Sequence, residues 1–162
     1  MFQAQAIASS DKAGFYRELT SQLEGLLAGE SDPIANAANT SALLFQMMPD
    51  LNWAGFYIMR DGELVLGPFQ GKPACVRIPV GRGVCGAAVA RRQSMLVEDV
   101  HAFPGHIACD AASRSELVVP LIRDGEVIGV IDLDSPRPSR FDSADQAGIE
   151  QIAGIYLAAS PR

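Results

Sequence analysis

The sequence is poor in basic residues and has neither a long apolar run nor a linker. Across its 162 residues, 13 lysines and arginines face 19 aspartates and glutamates, a formal net charge of −6. A field of this sign repels nucleic-acid phosphates and anionic lipid headgroups, and no stretch approaches the roughly 20 apolar residues of a membrane-spanning helix. These absences argue against nucleic-acid and membrane binding. No Pro/Gly/Ser-rich tract divides the chain, so residues 1–162 are predicted to form one domain.

Cysteine is also scarce, and its three occurrences, Cys75, Cys85 and Cys109, are too few and odd in number for a disulfide framework. The first residues lack the basic and apolar segments of a secretory signal, so we expect a cytoplasmic protein whose thiols stay reduced. In that compartment a cysteine is an inert core residue, a metal ligand or a reactive thiol.

Three helices are predicted from apolar residues at helical spacing. The first follows a capping Ser10 or Asp11, and the second opens at Asp32-Pro33. In the last helix, Ser143 and Gln146 have the spacing of a capping box. These helices cover about residues 15–27, 33–48 and 141–159.

The middle of the chain is rich in predicted strands. The tetrapeptide Arg-Asp-Gly-Glu occurs at 60–63 and at 123–126, and in both copies Asp-Gly separates apolar runs, which indicates a β-hairpin. Trp53 begins the first strand, and this position favours a site role for it over a core role. The order of elements predicts an α+β fold, with a central, mostly antiparallel sheet, the N- and C-terminal helices packed on one face, and the site on the other. The strands cover about residues 54–59, 64–68, 75–80, 95–98, 116–122 and 127–133, with a short helix near 84–91.

The segment Gly81-Arg-Gly-Val-Cys-Gly86 matches the glycine pattern of dinucleotide-binding folds. Its context does not fit, because only about ten helical residues precede the next strand, whereas a βαβ unit needs about thirty residues. Glu98 and Asp99 come too early to bind a ribose. The glycines are therefore predicted to form a tight turn from strand to helix.

The long loop around Cys109 is the most informative stretch. Potential metal ligands in it are His101, His106 and Cys109, with Asp99 and Asp110. Cys109 has no C-x-x-C partner, however, and the histidine spacing matches no common zinc motif. The loop thus holds either a small structural thiol or a reactive one. A cysteine near a histidine on a long polar loop favours a depressed thiol pKa, and a loop of about fifteen residues is usually functional.

The other two thiols leave alternatives open. Cys75 lies at a strand start after Gly71-Lys-Pro, where it is accessible, whereas Cys85 within the glycine turn is either a packing residue or reactive. Two thiols brought together from separate segments can close a disulfide once one of them is oxidised. This chemistry fits a reductase in which one thiol attacks and another resolves.

Three carboxylates lie near predicted strand ends. Glu116 begins one strand, and Asp132 and Asp134 occupy alternate positions at the end of another, so the two aspartate side chains share a face. Burying such acids without a partner is costly. They either pair with Arg137 or Arg140, or share a proton, which raises a pKa and lets a carboxylic acid donate to a leaving oxygen.

Several stretches of the chain together form a recognisable pattern. They are Trp53-Ala-Gly-Phe-Tyr57, residues 67–75, 78–86 and 97–110, Ser115-Glu116 and residues 129–135. These segments closely resemble the free methionine-(R)-sulfoxide reductase family, and the resemblance covers about residues 15–152. It is most specific around Cys109, whereas Ile78-Pro-Val-Gly-Arg-Gly is a more general feature of GAF domains.

This resemblance implies a GAF fold, usually as a homodimer, and reduction of free L-methionine (R)-sulfoxide to methionine. It further implies thioredoxin as reductant and neither cofactor nor metal. In the family, the cysteine matching Cys109 attacks, the one matching Cys75 resolves, and the one matching Cys85 is a second or alternative recycling thiol. The residues that match the substrate pocket are Trp53, Tyr57, Glu116, Asp132 and Asp134.

Other functions stay open at this point. A GAF domain can bind a ligand as a sensor without chemistry, but such a sensor needs no thiols at these positions, and the sequence shows no output domain. A peroxide sensor or a general thiol oxidoreductase would use the same cysteines, and only the reductase should select the R epimer of the free amino acid. A structural interaction module is a third alternative, for which no sequence feature argues.

Overall fold

The computed structural model describes residues 1–161, so Arg162, the last residue of the predicted domain, lies outside the described residues. Over this range every helix is too short or too polar to cross a lipid bilayer. The helices are α1 (Lys12–Leu27), α2 (Pro33–Met47), α3 (Gly83–Arg91) and α4 (Ser143–Ala159). The strands are β1 (Trp53–Arg60), β2 (Glu63–Gly71), β3 (Arg77–Pro79), β4 (Met95–Val97), β5 (Ser115–Arg123) and β6 (Glu126–Ser135).

The strands of the described residues form one antiparallel sheet in the order β3-β2-β1-β6-β5-β4. The two Arg-Asp-Gly-Glu segments make the β1–β2 and β5–β6 turns, which confirms the predicted hairpins. In each turn both central residues have positive φ, 51° and 84° at Asp61 and Gly62, and 50° and 81° at Asp124 and Gly125. Turns of this kind match the twist of the flanking strands. The two hairpins meet through β1 and β6, which therefore lie at the centre of the sheet.

The sheet separates two apolar layers. Helices α1, α2 and α4 pack on one face, against alternate strand residues such as Ala54 and Phe56 of β1. Trp53 and Tyr57 of the same strand belong to the second layer, together with α3. The prediction that the terminal helices share one face is therefore confirmed. The largest fully buried side chains of the helix layer are Leu19, Leu23, Leu44, Phe56, Leu117, Leu121, Ile131, Leu133, Ile149 and Ile152, and each stabilises the fold by roughly 1.5–3 kcal/mol.

The start of α4 differs from the prediction. Its capping box consists of Asp142 and Asp145, not of Ser143 and Gln146. The Asp142 carboxylate accepts from the N–H of Asp145 at 3.1 Å, and the Asp145 carboxylate accepts from the N–H of Asp142 at 2.9 Å. Asp145 is buried and also accepts a hydrogen bond of 2.7 Å from the Tyr16 hydroxyl on α1. This tertiary contact selects Asp145, and the local sequence does not show it.

We expect Gly148→Ala to destabilise the protein, because a methyl group at Gly148 of α4 would overlap the ring of Tyr16 in α1. The loss in free energy of unfolding should be roughly 1–3 kcal/mol, as for other overpacked cores. Gly154 in the same helix is the matched control, since a methyl group there meets no described atom within 4 Å. Gly154→Ala should raise the free energy of unfolding by about 0.4–1 kcal/mol. Urea denaturation measures both changes, and equal effects of the two substitutions would contradict this packing.

Candidate active site

A small cavity lies on the sheet face opposite α1, α2 and α4. Residues of β1, β5 and β6 line it, together with the first turn of α3 and the loop between β4 and β5. Apolar walls and a few converging polar groups are the usual features of a small-molecule site. The lining residues are Trp53, Tyr57, Pro73, Ala74, Ile78, Gly83, Val84, Cys85, His106, Ile107, Cys109, Asp110, Ser113, Glu116, Asp132 and Asp134.

The family resemblance predicts eight site residues, the three cysteines and five pocket residues, and they come together at this cavity. Seven of the eight line it, namely Trp53, Tyr57, Cys85, Cys109, Glu116, Asp132 and Asp134. The eighth, Cys75, forms a disulfide with Cys109, and the two Cα atoms are 5.4 Å apart. Because β3 begins only at Arg77, the strand predicted from residue 75 is too long at its start. The disulfide thus joins the segment between β2 and β3 to the long loop between β4 and β5.

Two aromatic residues of β1 hold the segment that carries Cys75. The Trp53 indole donates from Nε1 to the carbonyl of Lys72 at 3.2 Å, and the Tyr57 hydroxyl donates to the carbonyl of Cys75 at 2.9 Å. Burial raises the pKa of Tyr57, and the charge of a neighbouring aspartate adds to the effect. The hydroxyl therefore remains a donor at neutral pH, and β1 fixes one of the two disulfide-bearing segments.

The three carboxylates form a largely buried cluster on β5 and β6, in which Asp134 is the more exposed member. Glu116 lies directly opposite Asp134 in the strand pairing, and Asp132 occupies the next position on the same face. Only 6% of Glu116 and 5% of Asp132 is exposed. Burial raises the pKa of Glu116 well above its ordinary range, and the charges of Asp132 and Asp134 raise it further. Burial also raises the pKa of Asp134, and it raises that of Asp132 to about 6. The cluster therefore retains protons at neutral pH.

The arginines predicted as alternative partners bind other acids. Arg137 Nη1 lies 2.6 Å from Asp50 Oδ2, and Arg140 Nη1 lies 3.4 Å from the Asp145 carboxylate at the start of α4. The salt-bridged alternative for the strand-end acids is therefore wrong. Retained protons, rather than these arginines, reduce the repulsion among the carboxylates.

Cys85 is the free cysteine of the described residues, and it is buried beside the carboxylates. Its Sγ lies 3.9 Å from Glu116 Oε1, to which the thiol donates. Burial raises the pKa of Cys85, and the charges of Asp132 and Glu116 raise it further, so Cys85 remains a neutral thiol. Among residues 1–161, the group with metal-ligand spacing is Cys85, Glu116 and Asp132, whose ligand atoms lie within 4.8 Å of one another. The histidine-containing loop does not supply such a group.

The glycine segment before α3 forms the tight turn that the sequence predicts. A side chain at Gly86 would collide with the carbonyl oxygen of Pro79, and the N–H of Gly81 donates to the carbonyl of Gly86 at 2.9 Å. Strands β3 and β4 lie at opposite edges of the sheet, unlike the adjacent parallel strands of a dinucleotide-binding unit. The first turn of α3 instead meets the cavity at Gly83 and Val84, and backbone N–H groups in the first turn of a helix attract anions.

Sequence reasoning missed Ser113 and gave Asp110 only a metal-binding alternative. For the loop histidines it gave metal binding or a lowered pKa of the Cys109 thiol. His106 Nε2 lies 4.0 Å from Glu116 Oε2. Burial lowers the pKa of His106, and the nearby His101 lowers it further. A neutral imidazole therefore faces a carboxyl group that holds a proton, and this contact is not an ion pair. Loop length was the only sequence signal for these residues, and it does not reveal which side chains turn inward.

We expect Asp132→Asn to change how stability depends on pH. Folding raises the pKa of Asp132 from 3.8 to about 6. Such a carboxyl group contributes its full stabilisation at a pH below its unfolded-state pKa. This contribution is lost as the pH rises through the folded-state pKa. The variant should therefore exceed wild type in free energy of unfolding at pH 8, by about 1–3 kcal/mol, and lose this advantage at pH 4. Urea denaturation at both pH values measures the difference. Glu18→Gln, at an exposed carboxylate, is the control, and an Asp132→Asn variant less stable than wild type at pH 8 would refute the assignment.

Comparison with known proteins places this site in a family. The family model of the GAF domain matches residues 37–159. The chain is 57% identical over 142 residues to a free methionine-R-sulfoxide reductase of Escherichia coli (strain K12), covering 88% of this chain and 86% of that protein. It is 42% identical over 153 residues to the Saccharomyces cerevisiae protein of the same name, covering 90% of this chain and 85% of that protein.

A solved structure extends the similarity to three dimensions. The X-ray structure of free methionine-R-sulfoxide reductase from Neisseria meningitidis, in complex with its substrate, matches with a TM-score of 0.94 and 46% identity. The match covers 98% of this chain and 95% of that chain. Since both identity and coverage are high along nearly the whole length, the chain belongs to the free methionine-(R)-sulfoxide reductase family of GAF-domain proteins.

Proposed function

We propose that the chain, as one GAF domain over residues 1–162, reduces free L-methionine (R)-sulfoxide to L-methionine with its own thiols. The observation that carries this proposal is the position of Cys109, which lines the same cavity as the three buried carboxylates and is bonded to Cys75. A nucleophilic sulfur, a partner sulfur and protonated acids are the groups that sulfoxide reduction needs. The relatives that bear the reductase name support the substrate.

The reaction begins when the thiolate of Cys109 attacks the sulfoxide sulfur. The attack forms a bond between the two sulfurs, and the substrate oxygen gains one proton. This oxygen then moves to the cysteine sulfur as the sulfur–sulfur bond and the sulfur–oxygen bond of the substrate break. Two electrons have passed from the cysteine sulfur to the substrate, methionine leaves, and Cys109 becomes a sulfenic acid. The thiol of Cys75 then displaces this oxygen as water and closes the Cys75–Cys109 disulfide. The disulfide in the structure supports this step, because it is the expected product.

The carboxylates supply the protons that the departing oxygen needs. Glu116 is the best donor of the three, since its pKa lies well above the ordinary range and its neighbour His106 is neutral. Asp132, with a pKa of about 6, ionises near neutral pH and is suited to hold the substrate ammonium. This division of roles places a protonated acid and an anionic carboxylate on the same face of the sheet.

The remaining walls suit the rest of a free amino acid. The first turn of α3 offers the backbone N–H of Val84 for the substrate carboxylate, whereas the N–H of Gly83 donates to the carbonyl of Gly105 at 3.2 Å. Trp53 is 3% exposed and presents an apolar ring for the methyl group on sulfur. With both charged ends of the amino acid bound inside the cavity, methionine sulfoxide within a polypeptide does not fit.

Thioredoxin is the proposed reductant, which opens the disulfide by thiol–disulfide exchange. Cys75 and Cys109 are partly exposed, whereas Cys85 is buried and its pKa is raised. Cys85 is therefore the second or alternative recycling thiol, and Cys75 the first. By family resemblance we also propose a homodimer in a reducing cytoplasm.

Wild-type protein should form methionine from free L-methionine (R)-sulfoxide and not from the S epimer, with thioredoxin, its reductase and NADPH as the electron source. Cys109→Ser should lower the rate at least a thousandfold, because the attacking sulfur is lost. Chromatography of methionine from resolved epimers measures both. Cys85→Ser is the matched control and should keep methionine formation in the first turnover. Turnover of neither epimer by reduced wild type would leave a ligand-binding GAF module instead.

Cys75→Ser should form about one methionine per chain and then stop, because the sulfenic acid at Cys109 finds no resolving thiol. Rapid-quench methionine analysis, with dimedone labelling and mass spectrometry, measures the burst and locates the sulfenic acid. Continued turnover by Cys75→Ser with thioredoxin, lost only in the Cys75→Ser/Cys85→Ser double variant, would assign the resolving role to Cys85.

A further inference from the structure

We infer that Asn52 is a positioning residue, which holds the loop of Cys109 in register with Cys75 and the cavity. Asn52 directly precedes β1 and lies outside every sequence motif considered above. Its backbone N–H donates to the carbonyl of Asp134 at 3.0 Å, which extends the β1–β6 pairing by one residue. The sheet therefore fixes the position of the Asn52 backbone, to which the side chain is attached. The inference rests on the proposed reaction at Cys109.

The side-chain amide of Asn52 donates both of its hydrogens to the Cys109 loop. Nδ2 lies 3.1 Å from Asp110 Oδ2 and 3.0 Å from Ser113 Oγ. Asp110 follows Cys109 directly in the chain, and its other oxygen, Oδ1, accepts from the N–H of Ala112 at 2.9 Å. One amide thus fixes two points of the loop, one of them a single residue from the proposed nucleophile.

The carboxylate of Asp110 determines how the amide is oriented. A carboxylate only accepts hydrogen bonds, so the nitrogen of Asn52 must face it, and the reversed amide would place two acceptors together. In this orientation Asn52 Oδ1 is buried and has no hydrogen-bond partner among residues 1–161. A buried acceptor without a partner is unfavourable for stability. The side-chain contacts with the loop are therefore made by the nitrogen alone.

The chain around Asn52 also touches the second disulfide-bearing segment. A side chain at Gly71 would approach the carbonyl oxygen of Asn52 to 2.7 Å, so the two backbones are in close contact. The next residue, Trp53, donates to the carbonyl of Lys72 at 3.2 Å. Two consecutive residues at the start of β1 therefore hold one loop each, and these are the loops whose cysteines form the disulfide.

An exchange of donor and acceptor tests this role. Asn52→Asp keeps the size of the side chain but places a second carboxylate against Asp110. Adding Asp110→Asn restores one donor and one acceptor, because the new amide oxygen can still accept from Ala112 while its nitrogen faces position 52. The measured quantity is the equilibrium constant for closing the Cys75–Cys109 disulfide in glutathione redox buffers, by quenched alkylation and mass spectrometry. This constant reports how well the fold aligns the two sulfurs.

We expect Asn52→Asp to lower this equilibrium constant about tenfold, because two hydrogen bonds to the loop are lost and a second carboxylate faces Asp110. The double variant should return to within about twofold of wild type. Asn52→Ala removes the same two hydrogen bonds without adding charge, and should lower the constant about fivefold. Asn36→Ala on α2 is the control, because it also loses an asparagine-to-serine hydrogen bond, of 3.0 Å to Ser160 Oγ, but should leave the constant unchanged.

Unchanged constants in both single Asn52 variants would overturn the inference, as would a loss that Asp110→Asn fails to restore. Denaturation curves of all variants show that each is folded under the assay conditions. Methionine formation by wild type is measured separately. If wild type forms no methionine but the equilibrium constants follow the expected pattern, the proposed reductase activity is refuted while the positioning role of Asn52 stands.

Discussion

The burial of three carboxyl groups on two adjacent strands constrains the rest of the site. Glu116 and Asp134 are paired across β5 and β6, and neither Arg137 nor Arg140 neutralises them. Burial raises the pKa of an acid placed beside these groups, and the neighbouring carboxylates raise it further, as Cys85 shows. A thiolate nucleophile therefore has to lie apart from the cluster while still lining the cavity. A separate loop meets that requirement, and it carries Cys109.

Strand β1 connects the chemistry to the core. Its alternate residues Ala54 and Phe56 pack under the helices, while Trp53 and Tyr57 face the cavity. The two aromatic residues hold the Cys75 segment through backbone carbonyls, so its position does not depend on that segment's own side chains. A central strand is a rigid support, because both of its edges are paired. Rigid support is what close alignment of reacting sulfurs requires.

Patterns of short range in the sequence predicted the fold well. The two Asp-Gly turns, the apolar face of α1 and the alternation of Asp132 and Asp134 depend on local geometry, and each has the structure expected. Helical spacing did not predict the buried face of α2, where Ile34 and Phe45 are exposed while Asn36 and Thr40 are buried. The start of α4 was misplaced because Asp145 is selected by Tyr16, which is distant in sequence. Ser113 and Asn52 escaped notice for the same reason, since their contacts form only when separate segments meet. The roles of the three cysteines were predicted from family resemblance, because their spacing in the sequence did not assign a role to each thiol.

The division of the sheet into two layers has an evolutionary consequence. Side chains under α1, α2 and α4 pack in the core and do not touch the cavity, whereas the cavity is lined from the opposite face. Because neighbouring residues of one strand point to different layers, substitutions at adjacent codons should affect different properties of the protein. Adaptation to temperature can proceed through the helix layer while catalysis is conserved, and a change of ligand can proceed through the other layer without loss of the fold.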